Sequence, residues 1–227
     1  MPGEGTGYPM AYILLIVVSL LIGGSVQWYV RHQINKYQNV PLSSGLTGAQ
    51  SAQQMLSYYG ITDVPIGQGG ADEDYFDPRS NSITLDNDAF HTATITSVAT
   101  ACHEVGHACQ FNQGYMPMKV RSALVPVVNF TQQTWMIILL VGIFLNLAGL
   151  IDLAIIFYAV AVVFSLVTLP VEFDASHRAL TYMKETGIME AERQGAWSVL
   201  VACALTYVAS TLISVLNLVY LLSMRDE

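Results

Sequence analysis

Leu153-Ala-Ile-Ile-Phe-Tyr-Ala-Val-Ala-Val-Val-Phe-Ser-Leu-Val-Thr-Leu-Pro-Val171 runs without a charge between Asp152 and Glu172. Its length approaches the roughly 20 apolar residues that a helix needs to cross a bilayer. Gly5 to Val30, Ser122 to Ile151 and Gln194 to Met224 are uncharged in the same way. With 53% hydrophobic and 11% charged residues, the chain is too apolar for a typical soluble domain, and its charges must be segregated. The expected fold is mainly α, a single polytopic membrane unit over 1–227 with about four transmembrane helices near 8–30, 125–149, 152–170 and 196–222. Segments 31–121 and 171–195 are left outside the bilayer.

The first stretch reads as a retained anchor: Glu4 rather than Lys or Arg precedes it, and no Ala-x-Ala cleavage site follows. Arg31, Lys36, Arg79, Lys119 and Arg121 lie between spans one and two, and Arg178, Lys184 and Arg193 between spans three and four. Basic residues are retained on the cytoplasmic side of short loops, so these segments are expected in the cytoplasm and both termini outside. A net charge of −8 excludes a generally basic surface for nucleic acid. Asp72, Glu73, Asp74 and Asp77 beside Gly67, Gly69 and Gly70 read as a solvated loop. Cys102 and Cys109 lie too far apart on one predicted helix to pair, Cys203 lies inside a span, and all three read as small buried side chains.

Between Arg31 and Arg121 the pattern predicts three elements. Leu46, Ala49, Ala52, Met55, Leu56 and Tyr59 recur at helical spacing, with Thr47 as cap and Gly60 as terminator, giving an amphipathic helix on the domain or membrane surface. Turn formers at Asp77 to Asn81 precede Ser82-Ile-Thr-Leu85, an alternating strand in a small hairpin. Two readings of that strand stand: it stiffens the domain, or it is an edge on which Ile83, Thr84 and Leu85 align an extended peptide by backbone pairing. The third element is a helix from Thr92 to Gln113, interrupted by polar residues that keep it from spanning a membrane.

That helix carries His103-Glu104-Val105-Gly106-His107. His-Glu-x-x-His puts two imidazoles on one face, one turn apart, where both reach a single tetrahedral zinc. Glu104 then stands beside the ligands as a general base for a water whose pKa the metal lowers. The flanking Ala101, Cys102, Ala108 and Cys109 are small and apolar, so these polar groups would be buried without partners unless something coordinates them. A third protein ligand is needed, and His91, His177 and Glu172 are the candidates. Spans two and three, joined by a tight turn near Gly149 to Asp152, return the chain to its starting side, which puts Glu172 in the compartment of His103 and His107. Pro170 either kinks the exit of span three or starts a new helix, presenting Glu172 at the membrane surface.

The runs Val98 to Gln110, Gly114-Tyr115, Arg121-Ser122, Leu169 to Ser176, Arg178-Ala-Leu180 and Leu205 to Ala209, with Thr47-Gly48 and Tyr75 to Asp77, resemble the YugP-type membrane zinc metallopeptidases. The resemblance extends over most of the chain. It implies a gluzincin-like enzyme with a small cytoplasmic α+β metallopeptidase unit, one catalytic zinc ion, His103, His107 and Glu172 as ligands, and Glu104 as general base. It also implies a bacterial cytoplasmic membrane. In related helical membrane gluzincins an Asp follows the distal Glu by four residues, whereas here Ser176 stands there and Asp174 lies two residues on. Asp174 or Ser176 is therefore expected to orient a ligand histidine. His177 stands where the family would place Arg.

Arg178 and Tyr207 are the candidates to stabilise a tetrahedral oxyanion; balancing nearby acids and packing span four are their plainer roles. Gly106 is expected to admit another backbone at close range, since glycine inside a helix otherwise costs about 1 kcal/mol. The leading functional expectation is an endopeptidase acting on membrane or membrane-proximal polypeptides. The alternatives are an intramembrane zinc protease, for which no Asp-Gly ligand segment is seen, and a zinc-stabilised scaffold without proteolysis. Expected partners are a polypeptide substrate and the lipid bilayer, with Gly142, Gly149 or Gly23-Gly24 offering close helix contact to a second copy or another membrane protein.

Overall fold

The computed structural model describes residues 7–225, with side chains from Met10 to Met224. Its elements in chain order are α1 (Gly7–Tyr37), α2 (Gly48–Tyr58), β1 (Ile66–Gln68), β2 (Tyr75–Asp77), β3 (Ser82–Leu85), α3 (Asn87–His91), α4 (Ile95–Asn112), α5 (Met116–Phe144), α6 (Ala148–Glu185) and α7 (Glu190–Arg225). Four of the described helices, α1, α5, α6 and α7, are long and apolar enough to cross a membrane. Their outward faces carry large apolar side chains such as Leu20, Trp28, Phe130, Ile137, Ile156 and Val219, as a lipid-facing surface requires.

The helices run well past the predicted spans. At 1.5 Å per residue the 38 residues of α6 reach about 57 Å, nearly twice a hydrocarbon core, so one end must stand clear of it. Pro170 starts no new helix; it lies within α6, and Glu172 follows on the same helix. The turn between α5 and α6 falls at Leu145 to Leu147 instead of Gly149 to Asp152, because Asn146 takes the left-handed conformation that ends α5 (φ 52°). Gly142 serves this hairpin: a Cβ there would stand 3.0 Å from Leu150 Cβ, so the glycine closes α5 on α6 within one chain.

The unit outside the spans packs around α4. Thr47 and Gln50 form a capping box at the start of α2, and Gly60 (φ 71°) follows its end. The apolar stripe of α2 buries Ala52, Met55 and Leu56 in the shared core, so the helix lies on the domain. The sheet has the order β1-β3-β2, with β1 parallel and β2 antiparallel to β3. The hairpin is present, but β3 is its central strand. Ile83 and Leu85 are 1% and 0% exposed, and both backbone edges of β3 are paired. Ile83, Thr84 and Leu85 therefore offer no edge to a peptide. The edges belong to β1 and β2.

The helix predicted from Thr92 starts at Ile95, capped by Thr94, because Asp86 accepts from Ala89 N and nucleates the separate turn α3 first. The linker after α1 is stapled to both sides of the unit. Leu42 N donates to Ala93 O, and the buried Glu192 of α7 accepts from Ser43 N at 2.6 Å and Ser43 Oγ at 3.0 Å.

At Gly106 α4 packs closely on the backbone of α6. A Cβ built on it would lie 2.5 Å from Ala175 O and 2.9 Å from Ala175 Cα, contacts that require a backbone to move. Gly106→Ala is thus expected to destabilise the folded protein by about 1–3 kcal/mol through overpacking, more than the roughly 1 kcal/mol it gains in helix propensity. Thermal unfolding in detergent checks this, and a variant melting at or above the wild type would contradict the contact.

Candidate metal centre

The close approach at Gly106 brings α4 side chains onto α6 at the level of Glu172. His103 Nε2 lies 3.3 Å and His107 Nε2 3.6 Å from Glu172 Oε2, and the donor atoms of the three residues all fall within 4.8 Å of one another. The two rings meet edge to face, with centroids 4.7 Å apart, as expected for side chains one helical turn apart. Glu172 is 2% exposed. Its Oε1 is buried with no hydrogen bond, and the Arg121 guanidinium stands 3.8 Å from it. A buried carboxylate facing two imidazoles is costly without a cation, and two nitrogens with one oxygen suit zinc with an open position. The residues present fit a zinc ion.

The other proposed ligands are elsewhere. His91, on α3, bonds Gln68 Oε1 through Nε2 at 3.0 Å and is not in the group. His177 is exposed and, five residues from Glu172, sits about 140° around α6 from it.

Glu104 is buried in the same wall, where its Oε2 accepts from Phe76 N at 2.9 Å. Burial pushes its carboxyl up to about 7; the charge of His103 opposes this and that of Glu172 adds to it. Together with Thr100 and Ser176, the three acids and bases His103, Glu104 and Glu172 line a cavity of about 140 Å³ closed by α7 at Leu200, Cys203, Ala204 and Tyr207. Tyr207 thus lines the same cavity as His103, Glu104 and Glu172. Arg178 does not line this cavity: its Nε donates to Asp174 Oδ2 at 2.6 Å and its Nη1 to Gln113 Oε1 at 2.6 Å, so it balances an acid. Burial holds the Cys102 thiol up near 12 and Cys109 near 11, in keeping with inert packing.

Both candidates for orienting a ligand are engaged, by different routes. Ser176 Oγ lies 3.1 Å from His103 Nδ1. Asp174 reaches His107 only through Gln110, whose Oε1 is 3.1 Å from His107 Nδ1 and whose Nε2 donates to Asp174 Oδ2 at 2.8 Å. Gln110, Arg121 and Phe76 fall within the runs that carry the family resemblance, but the sequence assigns none of them a role. Gln110 left one signal, a polar side chain one turn after His107 among small apolar residues; the other two depend on long-range packing.

Comparison with known proteins gives first the class. The family described as "Putative neutral zinc metallopeptidase" matches residues 12–226, and the chain belongs to that family. It is 38% identical over 224 residues to "Putative membrane protease YugP" of Bacillus subtilis (strain 168), covering 96% of this chain and 100% of that protein. No solved structure matches. The four apolar helices and this relative make the chain a multi-pass membrane protein.

Two predictions arise here. Glu172→Ala is expected to bind substoichiometric zinc and His177→Ala a full equivalent, measured by metal analysis of the purified protein; the reverse result would remove Glu172 from the donor set. Half-buried Asp74 accepts from Asp86 N at 2.8 Å, and desolvation raises its carboxyl to about 6. Because the folded value lies above the unfolded one near 3.9, its contribution to stability is complete below about pH 4 and lost as pH rises through about 6. Asp74→Asn should therefore melt with the wild type at pH 4 and above it at pH 8.

Proposed function

We propose that the protein is a zinc-dependent endopeptidase acting on membrane or membrane-proximal polypeptides at the cytoplasmic face of a bacterial membrane. His103, His107 and Glu172 hold the metal and Glu104 is the general base. The observation that carries this reading is the convergence of the three donor atoms within 4.8 Å beside a buried Glu104 that lines the same cavity. A bound zinc ion supplies Lewis acidity, which polarises a peptide carbonyl and lowers the pKa of a water toward about 7.

The chain's own residues do the rest. Glu104 takes a proton from the attacking water and passes it to the departing amine, a role suited to a carboxyl whose pKa burial brings near neutrality. The Phe76 N–H fixes Oε2 of Glu104 and leaves its other oxygen for the proton. Tyr207, which lines the cavity, is assigned to donate to the developing oxyanion. Alignment of an extended substrate passes from β3 to β2, the edge strand whose backbone already meets the general base. At about 140 Å³ the cavity is well below the roughly 300–1,000 Å³ of pockets that hold drug-sized ligands, so it has room for the reacting group and not for a whole peptide. The cytoplasmic placement is supported by the basic residues flanking these segments.

Glu104→Gln tests the reading directly. Zinc content and melting temperature are expected to match the wild type, while the cleavage rate of an unfolded protein falls by at least about 10²-fold. Cleavage at the wild-type rate would sink the assignment of the base. Zinc-replete wild type with no cleavage of any unfolded substrate would favour the scaffold alternative.

A further inference from the structure

Gln110 is fully buried, one helical turn beyond His107, and its amide meets three partners at once. Nε2 donates to Val171 O at 2.7 Å and to Asp174 Oδ2 at 2.8 Å, both on α6, while Oε1 lies 3.1 Å from His107 Nδ1. The two α6 atoms are a carbonyl and a carboxylate oxygen, which only accept, so they use both hydrogens of the amide nitrogen. Turning the amide over would set its oxygen against both. Oε1 must therefore face the imidazole, and an acceptor in that place requires the hydrogen of His107 to sit on Nδ1. The lone pair is then on Nε2, the nitrogen 3.6 Å from Glu172 Oε2.

We propose that Gln110 is the positioning residue of the site, holding His107 in the form that presents Nε2 to a metal and fixing the height of α4 against α6. This rests on the reading that His103, His107 and Glu172 bind zinc. Val171 is the residue next to Glu172, so one side chain references a ligand on each helix to the other. Asp174 anchors the amide and is itself held by Arg178, which also bonds Gln113, the C-cap of α4, so the linkage closes at the end of the helix where it began. Sliding α4 by a single residue, about 1.5 Å, would break both bonds from Nε2. His103 has no such device. Ser176 Oγ, 3.1 Å from its Nδ1, donates or accepts equally well and dictates neither tautomer. The two ligand histidines are therefore held unequally.

The test uses full-length protein in detergent micelles, with zinc affinity from chelator competition, the visible spectrum of the cobalt(II) form, and long-range ¹⁵N correlation of the histidine rings in the metal-free state. Wild type should show His107 protonated on Nδ1. Gln110→Leu, which puts an apolar side chain of similar volume in place of the amide, should lose that tautomer preference, bind zinc about 10–100-fold more weakly and alter the cobalt spectrum. Ser176→Ala should lose less affinity than Gln110→Leu. A folded Gln110→Leu protein with wild-type zinc affinity and an unchanged His107 tautomer overturns the proposal. If Gln110→Leu does not fold, the wild-type spectrum decides, and His107 protonated on Nε2 overturns it. Glu172→Ala separates the two levels: if it binds zinc as the wild type does, the ligand set is wrong, whereas the tautomer result still bears on Gln110 alone.

Discussion

Gly106 against the backbone of Ala175 is the contact on which the rest of the centre depends. Helices bearing ordinary side chains pack with axes roughly 8–10 Å apart, and the short reach of a histidine or glutamate leaves little slack at the wide end of that range. Removing one Cβ lets α4 press onto the main chain of α6, so close that an alanine would meet Ala175 O at 2.5 Å. At that separation Glu172, three residues before Ala175, comes level with His103 and His107. The same contact explains why a glycine is kept in the middle of a helix at a cost of about 1 kcal/mol in propensity.

A second requirement is electrostatic. Glu104, Glu172, Asp174, Arg121 and Arg178 crowd a region that adjoins lipid-facing helices, where an unpaired charge is costly. Asp174 and Arg178 neutralise each other at 2.6 Å, and Arg121 stands 3.8 Å from the oxygen of Glu172 that the histidines do not approach. Glu104 differs in being answered by a single backbone amide from β2. The small sheet thus has a chemical task as well as a structural one: its edge strand delivers an N–H to a buried acid on α4.

Much of this was legible in the sequence because it is local or follows from counting crossings. His103 and His107 share a face by helical period, Gly106 announces a close approach, and an even number of membrane passages returns Glu172 to the side of the histidines. What was hidden depends on partners distant in the chain. Ile66 to Gln68 is too short to show alternation, so nothing signalled that β1 would cover β3 and bury Ile83 and Leu85 in a central strand. Asn146 rather than Gly149 makes the α5–α6 turn because the left-handed residue is chosen by how the helices close. Gln110 looked like one more polar residue on an apolar helix until Val171 and Asp174 appeared beside it. Ser176, in the place of an expected Asp, bears on His103 directly, while the acid two residues earlier acts on the other histidine through an intermediary.

The order of elements has a consequence for biosynthesis. His103 and His107 are made before α5, and Glu172 only after α6 has carried the chain back across the bilayer. On the proposed ligand set, a nascent chain holds two of its three donors while the third is still to be threaded through the membrane. A polypeptide stalled before insertion of that hairpin, or left behind in the aqueous phase, has no complete centre. On that ligand set the membrane acts as a checkpoint, and a complete donor set arises only where the protein has been correctly installed.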